Sequence, residues 1–62
     1  MKLAGKRLTC VPKWRDGGEE CYELRVYDDE GLIRTVEFFH NIAGQDTDFH
    51  FELTKAVAEL EL

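Results

Sequence analysis

Very little in this 62-residue chain is of the kind that carries chemistry: two cysteines, two histidines and one tryptophan, with a single proline. No apolar run approaches the roughly 20 residues that a membrane-spanning helix needs, so a transmembrane protein is not expected. The first residues, Met1-Lys2-Leu3-Ala4-Gly5-Lys6-Arg7, lack the apolar stretch of a secretory signal, and the cytoplasm is the expected location. Cys10 and Cys21 do not have a CxxC spacing, and in that compartment both are expected to be reduced, small core residues; a cross-strand disulfide is the alternative. With His40 and His50 they make four potential zinc ligands, but a structural zinc site uses closely spaced pairs, and these are not. Gly17-Gly18 has neither the spacing nor the lysine of a phosphate-binding loop. No cofactor and no metal are expected.

What is present suffices for one folded domain. Hydrophobic residues at 44% and charged residues at 34% fit a packed core, not a disordered tail. A chain of about 60 residues buries only roughly 60% of its unfolded surface, so its stability is marginal. Such domains commonly gain stability from a partner or from self-association.

The clearest local pattern is a hairpin. Tyr22, Leu24 and Val26 alternate with Glu23, Arg25 and Tyr27, the period of a half-buried strand. After Asp28-Asp29-Glu30-Gly31 comes a second run, Leu32 to His40, rich in β-branched and aromatic residues. A type I turn with Gly31 as a left-handed bulge pairs Asp28 with Leu32, Leu24 with Val36 and Tyr22 with Phe38. One face then carries Tyr22, Leu24, Val26, Leu32, Val36 and Phe38, with Arg34 as the intruder. The opposite face shows Tyr27 beside Ile33 and Cys21 beside Phe39, around Arg25, Thr35, Glu23 and Glu37.

Lys6 to Trp14 reads as a further strand with Leu8, Cys10 and Trp14 in phase. Pro12 confines it to an edge or a bulge. Arg15 to Glu20 forms a loose connection.

The last third admits two readings. Phe49, Leu53, Ala56, Val57 and Leu60 make a helical stripe, with Asp46, Thr47 or Asp48 as N-cap. Phe49 to Leu53 also alternates as a strand would. Good helix formers from Lys55 onward, and the need to cover a three-stranded sheet, favour the helix. The expected fold is therefore α+β, a three-stranded antiparallel meander covered on one face by a C-terminal helix. Residues 1–62 form the single domain.

Charge is unevenly distributed. Lys2, Lys6, Arg7, Lys13 and Arg15 stand in the first fifteen residues without an acid. The remainder holds three cations against thirteen acids, which brings the whole chain to a net charge of −5. The histidines sit at element ends, and the carboxylates cluster at turns where they are solvated. No nucleophile, base and orienting group stand in identifiable relation, so an enzyme is not expected.

Tyr22-Glu23-Leu24-Arg25-Val26 with Gly31-Leu32-Ile33-Arg34-Thr35-Val36-Glu37-Phe38-Phe39 resembles the central hairpin of RelE-type ribosome-dependent ribonuclease toxins. The resemblance spans under a third of the chain. It matches Arg25 and Arg34 to arginines of that family's strands, without the family's leading helices or its lysine-rich segment after the sheet.

Two functional expectations follow. The first is a small acidic, non-enzymatic protein-interaction module, a homodimer or an inhibitor or regulator of phage or mobile-element type. Its contact residues would be Tyr27, Ile33, Phe39 and Arg25, on a face the helix leaves open. The alternative is a nucleic-acid-binding or RelE-type toxin-like domain that uses Lys6, Arg7, Lys13, Trp14 and Arg15 on the basic N-terminal strand.

Overall fold

A computed structural model describes residues 2–62, with Gln45 described by its backbone alone. Three strands, β1 (Arg7–Asp16), β2 (Glu19–Asp28) and β3 (Gly31–Asn41), form an antiparallel sheet in the order β1-β2-β3. A 3-10 turn, Ile42–Gly44, leads into one helix, α1 (Gln45–Leu60). The fold is the expected meander with a C-terminal helix on one face. Residues 48–53 lie within that helix, and Phe51, off its apolar stripe, is 59% exposed. No helix among the described residues is long and apolar enough to cross a membrane.

The predicted register holds through most of the central hairpin, with Leu24 opposite Val36 and Tyr22 opposite Phe38. It differs at the turn. Asp28 pairs with Gly31 and not with Leu32, and Tyr27 pairs with Leu32 and not with Ile33. The extra residue of the bulge is Ile33, where Gly31 was expected to fill that role. The cause is local: the Asp28 carboxylate accepts the Glu30 N–H at 2.8 Å and closes a two-residue turn, while Gly31 takes φ +127°. Leu32 leaves the core as a result and is 53% exposed.

The core joins Leu24, Val26 and Phe38 of the sheet to Ala56 and Leu60 of α1, with Leu3, Tyr22, Val36, Phe49, Leu53 and Val57 packed around them. Arg34, the charged intruder on this face, has a use. Its guanidinium donates to the Leu60 carbonyl at 3.3 Å, meeting a carbonyl that the end of α1 leaves unpaired. The helix starts differently from expectation. Gly44 is the N-cap and no side chain caps it. A Cβ at Gly44 would come within 2.6 Å of the Asp48 Cβ, and the Asp48 carboxylate instead accepts the Asn41 backbone N–H at 2.7 Å. Asp46 and Asp48 stay in the first turn, where acids suit the helix dipole.

The connection between β1 and β2 is also tighter than expected. Gly17, at φ +60°, and Gly18 alone join strands that run on to Asp16 and from Glu19. The Gly18 carbonyl accepts the Ile42 N–H at 2.8 Å, tying this turn to the far end of β3.

Candidate functional site

The helix packs over β3 and the centre of the sheet, which leaves the other face bare. Two bulges decide what that face displays. In β1 the register shifts between Pro12 and Trp14, making Lys13 the extra residue. Pro12 has no N–H to give to the ladder, so the irregularity falls beside it. Leu8, Cys10 and Pro12 pair with Val26, Leu24 and Tyr22, but Trp14 pairs with Cys21. Trp14, expected in phase with Leu8 and Cys10, is thus transferred to the opposite face. There its ring meets Phe39 with centroids 5.8 Å apart, and the two rings are each about half exposed, at 47% and 49%.

Cys21 lies in the same row and is 1% exposed. It is buried as expected, although on the open side of the sheet and outside the helix-covered core. Cys10 is exposed, contrary to expectation, because α1 does not reach across β1. The two thiols are free and face opposite sides. Burial first, then the Glu37 carboxylate beside it, push the Cys21 thiol up from its ordinary range; burial does the same at Cys10. Neither environment activates a nucleophile, which requires a lowered thiol pKa.

The middle of the open face is charged. The Glu23 carboxylate accepts from the Arg25 guanidinium and lies 3.6 Å from the Lys13 ammonium. Those cations, the Arg25 hydrogen bond above all, hold its carboxyl below the usual range. Glu37 stands directly opposite Glu23 and, among the described residues, has no ion-pair partner. At the hairpin end Arg7 lies over the Tyr27 ring, 5.9 Å from its centroid, near exposed Leu32 and Ile33.

Of the four residues expected to meet a protein, the register puts Tyr27, Arg25 and Phe39 on one side of the sheet, though not in one cluster, and leaves Ile33 as the unpaired bulge residue beside Leu32. Phe39 sits with Trp14 at one end, while Tyr27 and Ile33 sit at the other. The residues of the alternative do not form a continuous cationic strip. Lys13 is engaged by Glu23, Arg15 pairs across the strands with Glu20, and Arg7 is at the far end of β1 from Arg15. Arg25 and Arg34 are on opposite faces, one with Glu23 and the other at the end of α1.

A second cluster escaped the sequence reading. His40, 8% exposed, places Nε2 at 2.7 Å from the Glu20 carboxylate and Nδ1 at 3.8 Å from Asp48. The Tyr22 hydroxyl also donates to Glu20, at 3.3 Å. Phe49 presents its edge to both Tyr22 and His40, at 5.0 and 5.2 Å between centroids. The group clamps the start of α1 onto the ends of β2 and β3. The signal for half of it was available, since a count that pairs Tyr22 with Phe38 also pairs Glu20 with His40.

Glu20 gives this clamp a pH dependence. Its hydrogen bond from His40 is the main cause that holds its carboxyl below the usual carboxylate range. A depressed carboxyl contributes stability that is complete above its unfolded value and is lost as pH falls through its folded value. Glu20→Gln should therefore flatten part of the decline in melting temperature as pH falls through and below the ordinary carboxyl range. An unchanged slope in that variant would remove Glu20 from the clamp.

No protein-family model, curated protein or solved structure matches this chain.

Proposed function

We propose that this chain is a non-enzymatic protein-interaction module, and that it docks through the open face of its sheet. The observation that carries this reading is the transfer of Trp14 by the Lys13 bulge onto Phe39. A tryptophan and a phenylalanine held half-exposed against each other are a ready anchor, because aromatic residues dominate the energetics of protein contacts. Exposed Leu32 with Tyr27 supplies a second apolar patch on the same side. The two thiols lack activation, and the carboxylate–histidine cluster is closed in by Tyr22 and Phe49, which favours binding over catalysis. The net charge of −5 suits a regulator or inhibitor that meets a basic partner surface, working in the cytoplasm with both thiols reduced.

Nucleic-acid binding by β1 is the competing reading. It is disfavoured by Glu23 and Glu37 beside Lys13 and Trp14, because phosphates would have to approach those carboxylates. One experiment separates the two. Phe39→Glu should keep the wild-type melting temperature yet abolish capture of a protein partner, since a carboxylate in an apolar contact loses its hydration. Capture by the wild type should lose far less to salt than nucleic-acid binding does, because apolar burial supplies most of it. Tight RNA binding that weakens steeply with salt and survives Phe39→Glu would overturn the proposal.

A further inference from the structure

The strand pairing arranges the open face in rows, and their chemistry runs in a definite order. From the β2–β3 turn towards the β1–β2 turn, the rows are Arg7–Tyr27–Leu32, Thr9–Arg25–Thr35, Val11–Glu23–Glu37 and Trp14–Cys21–Phe39. One half of the face thus offers arginines with a tyrosine and a leucine. The other offers two carboxylates against one lysine, Lys13, with a tryptophan and a phenylalanine. Each half is what the other would bind.

Glu37 adds an independent reason to look for an external cation. It faces Glu23 directly across the strands, an arrangement of like charges that destabilises a sheet. Glu23 is neutralised by Arg25 and Lys13, whereas Glu37 has no ion-pair partner among the described residues.

Building on the docking reading, we infer that the occupant of the open face is a second copy of this chain, packed face to face and reversed end for end. A twofold axis lying in the interface and crossing the strands between the Arg25 and Glu23 rows produces this arrangement. It sets Arg25 of each protomer over Glu23 of the other, beside Glu37, and Arg7 over Trp14. Leu32 comes to lie over Phe39, and Tyr27 over Cys21. The same surface serves on both sides, as a closed twofold dimer requires. A twofold axis along the central strand would instead place each row on itself, Arg25 on Arg25 and Glu23 on Glu23, and is excluded by charge.

The molecule measures 37 × 18 × 15 Å, so this face is small beside the roughly 800 Å² per partner of a standard interface. The dimer is therefore reversible and depends on charge matching for its register. Sedimentation equilibrium on the purified 62-residue chain should show a concentration-dependent dimer.

The decisive test is a charge swap. Arg25→Glu and Glu23→Arg should each weaken self-association about tenfold or more, because each places like charges across the axis twice. An equimolar mixture of the two variants should regain pairing close to that of the wild type, since in the mixed dimer both crossings are again of opposite sign. Equal melting temperatures of the dilute variants would show that the monomer fold is intact. A dimer that ignores both substitutions pairs elsewhere, for example along the free edge of β1, and overturns the inference. A mixture that fails to recover overturns the reversed orientation. A chain that remains monomeric while Phe39→Glu still abolishes capture of a different protein refutes the self-pairing and leaves the docking role standing. A monomer with no Phe39-dependent capture refutes both.

Discussion

Phe38→Ala should leave this domain at or beyond the edge of unfolding at 25 °C. Phe38 stands in the edge strand β3, yet it is only 5% exposed because α1 covers it. Its ring is stacked on Tyr22 at 5.7 Å and meets the edge of Phe49 at 5.6 Å. Truncating a buried phenylalanine costs about 3–5 kcal/mol through lost transfer energy and the cavity left behind. A domain of this length has about 3–9 kcal/mol in total, on the usual per-residue scale. The loss is therefore comparable to everything that holds the fold. The stacked and edge-on rings make relaxation into the cavity difficult, since Tyr22 is also held by its hydroxyl bond to Glu20. Urea denaturation with an unchanged slope would report the loss as a lower midpoint. A midpoint equal to that of the wild type would show that Phe38 is not the centre of the core.

The position of Phe38 was legible in the sequence because two separate signals agreed. The alternation from Tyr22 to Tyr27 fixed which residues share a face, and the turn at Asp28 to Gly31 fixed the total offset between strands. Moving the bulge from Gly31 to Ile33 left that offset unchanged beyond the turn, so the core pairs survived the local error. The other bulge was more consequential. Pro12 announced an irregularity, but a bulge reverses the facing of every residue beyond it until the strand ends. Trp14 was thus read onto the wrong face, and the feature that best marks a contact surface stayed hidden. The exposure of Cys10 was not legible either. Whether a helix reaches the third strand depends on its crossing over the sheet, which side-chain periodicity does not encode.

The clamp at the start of α1 shows a different limit. Glu20 and His40 are related by strand register, which can be counted. Asp48 joins them from the helix, through a carboxylate that the sequence suggested as a helix cap. A residue with two uses for its oxygens is resolved only by the three-dimensional competition between them. Here the Asn41 N–H took the carboxylate, and Gly44 was left to begin the helix uncapped.

Leu60→Ala is expected to release the far end of the helix, and comparison with Arg34→Ala shows what holds it there. Leu60 is fully buried at 0% exposure, in contact with a core whose other members lie mainly on the sheet. Its truncation should cost about 2–5 kcal/mol. Arg34 offers the same residue a charge-assisted hydrogen bond to its carbonyl, yet at 3.3 Å and partly exposed to water. Losing that bond should cost about 1 kcal/mol, because water replaces the donor. The hydrophobic contribution should therefore exceed the polar one several-fold, although the polar contact is the more specific. Hydrogen exchange makes the distinction local. Leu60→Ala should accelerate exchange of the amides in the last two turns of α1, while those of β2, the central strand, follow only global opening. If Arg34→Ala destabilised as much as Leu60→Ala, the arginine would be the anchor and the apolar contact secondary. The expected order is the reverse, and it explains how a charged residue can occupy the inner face of β3 without weakening the core. Its head reaches a carbonyl at the helix end that needs a donor.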